Sequence, residues 1–152
     1  MEDNTIHLYC DGGTRGNQFD DNIGAYGAIL HYNGHKRYIT MGFRNTTNNI
    51  MELKAVIEGL KAMKKYDVPI KVYSDSAYVV NGINKGWVRG WKSNGWLKSD
   101  GKPVKNMELW DELDYLISLF NEIDFIKVKG HSTNEGNNEV DKMINDTMDR
   151  MN

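Results

Sequence analysis

The chain has 152 residues, of which 39% are hydrophobic, and a formal net charge of −2 at pH 7. This length and composition predict one compact domain, residues 1–152, and exclude a second domain of ordinary size. The single cysteine, Cys10, cannot form an internal disulfide, which is typical of a reducing compartment. The polar start of the chain predicts no signal peptide, and no apolar stretch is long enough to span a bilayer. A soluble cytoplasmic monomer with no membrane association is therefore expected.

The charges are distributed unevenly along the chain. Residues 85–105 contain one acidic residue, Asp100, among several basic ones. The basic residues are Lys85, Arg89, Lys92, Lys98, Lys102 and Lys105. Such a basic block could follow a phosphate backbone, although the net charge of the whole chain argues against a nucleic-acid partner. From charge alone, a solvated lysine-rich loop is the favoured interpretation.

The first third of the chain has the pattern of β-strands. Residues 5–9 alternate polar and apolar side chains and lead into Asp11-Gly12-Gly13, which predicts a turn. Two more strands are predicted over 23–32 and 36–43, joined at Asn33-Gly34, a dipeptide typical of tight hairpins. Three antiparallel strands are therefore expected to open the fold.

The middle of the chain changes to helical spacing. Apolar residues recur with the period of a helix over about 49–65, and Pro69 then precedes a fourth predicted strand over 70–74. Ser76 fits the N-cap of a short helix that ends near Gly82.

The last third predicts two more helices and one more strand. A helix with leucines from position 109 follows the basic block, then a strand over 125–129, then a final helix around 140–148. The order βββαβααβα predicts an α/β fold with a mixed five-stranded sheet flanked by helices. Its first three strands would be antiparallel, with parallel strands added afterwards.

Two aspartates have positions that favour a role in a ligand or catalytic site. Asp11 and Asp75 each follow a β-rich segment and precede turn or helix-start residues. In sheets with parallel strands, ligand sites gather beyond the carboxyl ends of the strands. Taken singly, each residue is explained equally well as a turn or cap aspartate.

Two further acidic residues stand out on predicted helices. Glu52 and Asp141 each lie at the edge of the apolar stripe of their helix, so that both could reach inward. An alternative for Glu52 is structural, because Asn49-x-x-Glu52 also fits a capping box. Four converging carboxylates would repel one another unless a cation lay among them. Oxygen ligands without a Cys/His set favour Mg²⁺ or Mn²⁺ over zinc.

Several segments resemble one known family. They are 9–13 (YCDGG), 24–30 (GAYGAIL), 46–53 (TTNNIMEL), 75–79 (DSAYV), 102–106 (KPVKN) and 128–131 (VKGH), with Asp141 following. Together they are similar to type 1 ribonuclease H, the ribonuclease HI group, from about residue 5 to about residue 148. The segments 46–53 and 75–79, in order and at the family's spacing, are the most specific part of the resemblance.

This resemblance implies a ribonuclease H-like fold and an activity. The activity is endonucleolytic hydrolysis of the RNA strand of RNA–DNA hybrids with two Mg²⁺ ions, or Mn²⁺ in their place, which leaves 5′-phosphate and 3′-hydroxyl ends. Matched by position, the implied metal-binding and catalytic carboxylates are Asp11, Glu52, Asp75 and Asp141. His131 matches the family's catalytic histidine, although a histidine in such a loop is more often inert.

The resemblance also implies residues that bind the hybrid. Asn17 and Thr47 match residues that seat a phosphate of the DNA strand. The surface that senses RNA 2′-hydroxyls is matched by Asn48, Asn49 and the backbone of Asp11, Gly12 and Gly13. Residues of about 85–105 match a basic protrusion, with substrate-binding side chains Trp87, Trp91, Lys92, Trp96, Lys98 and Lys102. Trp110, within an apolar helix pattern, is predicted to belong to the core.

Two other functions are possible alternatives, and a few residues depart from the family's pattern. A non-catalytic hybrid-binding module would have to lack a metal carboxylate, and all four are present. A related nuclease acting on DNA is disfavoured by the segment at 46–49. Ala77 replaces a glutamine that contacts the substrate in some family members, and the loop at 18–22 adds two aspartates near Asp11. Glu135 or Glu139 could serve as an outer carboxylate, which the sequence does not decide.

Overall fold

A five-stranded sheet with the order β3-β2-β1-β4-β5 forms the centre of the molecule. The structure is a computed structural model and describes residues 4–16, 21–129 and 134–151. The strands are β1 (Ile6–Arg15), β2 (Ile23–Tyr32), β3 (His35–Arg44), β4 (Ile70–Ser74) and β5 (Ile123–Lys127). The helices are α1 (Asn48–Lys61), α2 (Ala77–Asn84), α3 (Trp87–Ser93), α4 (Met107–Ser118) and α5 (Glu135–Asp149).

The sheet is mixed, as predicted. Strands β1, β2 and β3 are antiparallel neighbours, and β4 and β5 add to β1 in parallel. The hairpin between β2 and β3 turns at Asn33 and Gly34, whose φ angles of 50° and 77° are those of a tight primed turn. Strand β5 begins earlier than the predicted 125–129, because Ile123 already pairs with Ile70 of β4.

The turn predicted at Asp11-Gly12-Gly13 is wrong, because β1 continues through these residues. Asp11 pairs with Gly27, Gly12 with Tyr26 and Gly13 with Ala25 of β2. Both glycines remain in the extended strand, so the dipeptide marks a close approach of another element and not a reversal of the chain. Asp11 therefore lies within a strand at the middle of the sheet.

Two helix predictions also need correction. Helix α1 is capped by Thr47, whose hydroxyl accepts a hydrogen bond from the Ile50 amide. Glu52 therefore lies inside the helix, and the capping box with Asn49 does not form. The basic block, expected as a protruding loop, contains the additional helix α3. This helix begins directly after Gly86, whose φ of 74° is in the left-handed region. With seven residues, α3 is too short to show the apolar period that predicts a helix.

The two faces of the sheet carry separate apolar clusters. Leu8 and Cys10 of β1 face the larger cluster, which includes α1 and the fully buried Trp110 of α4. The smaller cluster joins Ile23 and Ala25 of β2 to α5. Since successive residues of a strand point to opposite faces, this division also fixes which side of the sheet each polar side chain occupies. In the described parts of the chain, no helix combines the length and hydrophobicity required to cross a membrane.

Candidate metal centre and nucleic-acid interface

Three carboxylates meet at the middle of the sheet, where β4 ends beside β1. Asp11 of β1, Glu52 of α1 and Asp75 directly after β4 each offer one oxygen, and these oxygens all lie within 4.8 Å of one another. Strands β1 and β4 are parallel neighbours in which Cys10 pairs with Ser74, so Asp11 and Asp75 continue at the same level. The sheet register and the first turns of α1 therefore bring together residues that are far apart in sequence.

Gly12 allows α1 to approach β1 closely enough for this cluster to form. A Cβ atom at Gly12 would lie 2.5 Å from the carbonyl carbon of Met51 and 2.6 Å from the nitrogen of Glu52. Such distances are far inside van der Waals contact with backbone, which cannot move without shifting the helix. The Gly12 amide also donates a hydrogen bond of 2.9 Å to Oδ1 of Asp11. Glycine at this position therefore sets the separation of Glu52 and Asp11.

Burial and mutual repulsion perturb the carboxylates of the cluster. Burial, together with the neighbouring charge of Asp75, raises the pKa of Asp11 to about 8 from its ordinary 3.8. Burial, followed by the charges of Asp11 and Asp75, also raises the pKa of Glu52 well above its usual range. The Oε2 atom of Glu52 is buried and has no hydrogen-bond partner within the described structure. Both pKa values rise because neither water nor a positive charge stabilises the ionised carboxylates.

Asp141 of α5 interacts with Asp11 but is not one of the three carboxylates whose oxygens lie within 4.8 Å of one another. A side-chain hydrogen bond with Asp141, and the charge of Asp141, contribute to the raised pKa of Asp11. Asn145, one turn further along α5, donates to the Asp141 carbonyl at 2.9 Å and accepts from Arg15 at 2.7 Å. Arg15, at the end of β1, also pairs with Asp149 at 2.6 Å. These contacts fasten α5 to β1 and hold Asp141 beside Asp11.

The residues of this cluster fit a divalent cation. All side-chain donors of the cluster are carboxylate oxygens, and one of them is buried without a partner. Oxygen donors of this kind suit hard cations such as Mg²⁺, Mn²⁺ or Ca²⁺ rather than zinc. A bound cation would offset both the burial and the mutual repulsion that raise the pKa of Asp11 and Glu52.

Comparison with known proteins identifies the family. The RNase H family model matches residues 3–149, nearly the whole chain. The chain belongs to the ribonuclease H family. A ribonuclease H from Clostridium botulinum is 52% identical over 147 residues, which cover 97% of each chain. A ribonuclease H from a Thermoanaerobacter species is 46% identical, over 95% of this chain and 90% of its own.

A solved structure agrees with the fold. It is described as LC9-RNase H1, a type 1 RNase H with the type 2 active-site motif. It is 25% identical in sequence and has a TM-score of 0.80, over 96% of this chain and 72% of its own. As a member of the ribonuclease H family, the chain is an enzyme that cleaves the RNA strand of RNA–DNA hybrids and binds a divalent metal.

A groove of about 390 Å³ lies at the end of β1 and the start of α1. It is lined by Thr14, Gly16, Asn22, Thr46, Thr47 and Asn48. Asn22, which is buried, donates to the Thr46 carbonyl at 2.7 Å and accepts from the Thr46 amide at 2.9 Å. Thr14 donates to Oδ1 of Asn48 at 3.0 Å. The exposed side chains at the start of α1 are thus held against the strand that carries Asp11.

The basic block separates into an anchored part and an exposed part. Trp91 and Trp96 are half-buried against the main core, and Trp91 meets Trp110 edge to face at 5.7 Å between ring centroids. Trp87 is exposed. Lys92 pairs with Asp114 of α4 at 2.9 Å, whereas the Lys98 amide donates to the Lys102 carbonyl at 2.8 Å, so that these two exposed lysines emerge from one turn. Trp91 and Trp96 therefore anchor the block, and its exposed side chains include Trp87, Lys98 and Lys102.

Other predicted residues have varied positions. Asn17, His131 and most of the loop at 18–22 lie outside the described residues. Asn49 and Ala77 are exposed. Glu139 pairs with Lys36 at 3.0 Å and accepts from the Tyr38 hydroxyl at 2.9 Å, so its carboxylate is engaged with β3. Cys10 is buried on the core face of β1, where burial, then the charges of Glu52 and Asp11, raise the pKa of its thiol well above the usual value.

Sequence reasoning missed several residues that build this site. Asn22, Arg15 and Asn145 are polar residues whose partners are distant in sequence, so no local pattern identifies them. The sequence pattern indicates a turn at Gly12, whereas in the structure Gly12 lies in β1 and packs against α1 at Glu52. A glycine directly after a predicted strand aspartate was the only local signal of that packing.

Replacing Gly12 with alanine tests the close approach of α1. We expect Gly12→Ala to lower the free energy of unfolding by about 1–3 kcal/mol, the usual cost of an overpacked position. The matched control is Gly13→Ala, whose Cβ would lie 3.8 Å from the Ile144 side chain, an ordinary contact. Thermal unfolding in EDTA measures both variants. Equal unfolding temperatures for the two would contradict the spacing role of Gly12.

Proposed function

We propose that this ribonuclease H cuts hybrids internally, uses Mg²⁺ as its cation, and leaves 5′-phosphate and 3′-hydroxyl ends. The observation that supports this best is the cluster of Asp11, Glu52 and Asp75, whose oxygens lie within 4.8 Å of one another. Two divalent ions held by four carboxylates would activate a water and stabilise the leaving 3′ oxygen of an in-line displacement. Mn²⁺ has the same preference for oxygen ligands and is the expected substitute.

The chain's own residues have distinct roles in this proposal. Asp11, Glu52, Asp75 and Asp141 would hold the cations, and Gly12 and Arg15 keep the carboxylates at their positions. His131 is proposed to move a proton, since an imidazole changes charge near neutral pH. The burial of Asp11 and of the Glu52 Oε2 atom excludes water from one side of the cluster, which strengthens their interaction with a cation.

We propose that the groove at the end of β1 and the start of α1 receives the hybrid. Thr47, with Asn17, would seat a phosphate of the DNA strand, because the amides at the start of α1 and its N-terminal dipole favour an anion. Asn48 and Asn49, with the backbone of Gly12 and Gly13, would contact the 2′-hydroxyls of the RNA strand. An A-like minor groove displays these hydroxyls and sugar edges, so contacts of this kind favour hybrids without strong sequence preference.

The exposed part of the basic block would contact the hybrid away from the cut. Lys98 and Lys102 lie on one turn, and Trp87 offers an exposed ring within the same basic block. Lysines of this kind bind phosphates irrespective of sequence, and aromatic rings pack against sugars and bases. Lys92 would contribute less, because Asp114 already pairs with its ammonium.

We also propose that the enzyme acts as a monomer in the cytoplasm. One chain supplies all four carboxylates, the groove and the basic block, so the reaction needs no residue from a second copy. The single cysteine is buried, which fits a reducing compartment.

Changing one cluster carboxylate to its amide tests the proposed chemistry. We expect Asp75→Asn to lower the rate of hybrid cleavage by at least about a thousandfold, because metal-ion stabilisation is worth several kcal/mol. Hybrid binding measured in Ca²⁺ should persist, since the groove and the basic block are unchanged.

The matched control is Glu139→Gln, which removes a carboxylate that pairs with Lys36 away from the cluster. This variant should cleave like the parent enzyme. Full activity in Asp75→Asn would remove the basis for assigning the cluster to catalysis.

Neutralising the exposed lysines tests the proposed binding of the hybrid. The double variant Lys98→Ala/Lys102→Ala should reduce the slope of log affinity against log salt by about 1 for each phosphate that the variant no longer neutralises. The cleavage rate at saturating substrate should change little. Lys92→Ala provides the comparison and should change the slope less, because its ammonium pairs with Asp114. A slope unchanged in the double variant would mean that the block is a solvated surface.

A further inference from the structure

Two buried side-chain oxygen atoms in the described structure have no hydrogen-bond partner. One is Oε2 of Glu52, which belongs to the carboxylate cluster, and the other is Oδ1 of Asn137. Asn137 is 8% exposed and lies in the first turn of α5. A buried acceptor without a partner costs about 1–3 kcal/mol, so a protein retains one where something else completes it.

The position of Asn137 on α5 relates it to the cluster. Asn137 precedes Asp141 by one helical turn, so both side chains project from the same face of the helix. The helix runs along β1 in a known register. Gly136 packs on the ring of Tyr9, and Val140 packs on Gly27, which is the partner of Asp11 in the sheet. The buried side-chain amide of Asn137 therefore lies near the level of Asp11 on β1, one helical turn from Asp141.

The side chain of Asn137 has no evident role in forming the helix. Its backbone amide, not its side chain, donates to the N-cap residue Asn134 at 3.0 Å. An alanine would retain this backbone bond and would remove a buried polar group that lacks a partner. Helix stability alone therefore does not explain an asparagine at this position.

We propose that Asn137 is a positioning residue for the cation, whose amide oxygen accepts a hydrogen bond from its hydration shell beside Asp11 and Asp141. Mg²⁺ dehydrates reluctantly and keeps several waters when it binds to carboxylates, and these waters need acceptors. A neutral oxygen provides one without adding to the repulsion among the four carboxylates. This inference rests on the proposed metal site and extends it to a residue outside the carboxylate set.

The unfolding temperature, measured in EDTA and at rising Mg²⁺ concentrations, tests this inference. The rise of the unfolding temperature with Mg²⁺ yields an apparent dissociation constant without any cleavage assay. We expect Asn137→Ala to raise that constant by about 10–100-fold, the usual effect of removing an outer-shell partner. In EDTA the variant should be at least as stable as the parent enzyme. Asn137→Asp, which keeps an oxygen at the same position, should retain Mg²⁺ affinity.

The control is Asn138→Ala, which changes the neighbouring, exposed asparagine of the same helix turn. It should leave the Mg²⁺ dependence unchanged. An unchanged Mg²⁺ constant in Asn137→Ala would overturn the inference, and lower stability in EDTA with that constant unchanged would assign Asn137 to packing. If the parent enzyme itself showed no response to Mg²⁺, the proposed metal site would fail, and the inference with it.

Discussion

Repulsion among the carboxylates of Asp11, Glu52 and Asp75 is the constraint on which the rest of the structure depends. Two unit charges about 4 Å apart repel by about 4 kcal/mol at an effective dielectric constant of 20, a large share of the stability of a small domain. Burial first, and then the charge of Asp75, raises the pKa of Asp11 to about 8, the direction expected for a buried carboxylate among like charges. The fold therefore holds a site that favours a cation before any substrate arrives.

The scaffold maintains this arrangement through contacts that lie outside the cluster. Gly12 allows α1 to touch β1, Arg15 and Asn145 secure α5, and Asn22 holds the start of α1 against the loop before β2. The apolar clusters on the two faces of the sheet supply the stability that such a strained site requires. Asp11 projects from β1, Glu52 from α1 and Asp75 from the short connection directly after β4, so the cluster is held by regular elements and one short connection between them.

Much of the fold was predictable because its signals are local. The bounds of β2 and β4, the Asn33-Gly34 turn and the Ser76 cap follow from alternation, hairpin chemistry and capping preference. Two predictions failed for separate reasons. Asp11-Gly12-Gly13 stays extended because β2 pairs with it, and α3, with seven residues, is too short to show an apolar period. Asp11, Glu52 and Asp75 were selected from strand ends and helix faces, and the sheet register then brought them together. Asn137 could not be predicted as a site residue, because a sequence shows neither its burial nor its lack of a hydrogen-bond partner.

The most direct test of the account is cleavage of end-labelled RNA paired with DNA, compared with single-stranded RNA, double-stranded RNA and double-stranded DNA. Each substrate is incubated with Mg²⁺, Mn²⁺ or EDTA. We expect internal cuts in the RNA strand of the hybrid alone, with either metal and not with EDTA. Cleavage of the hybrid that persists in EDTA, or no cleavage by folded protein with either metal, would contradict it.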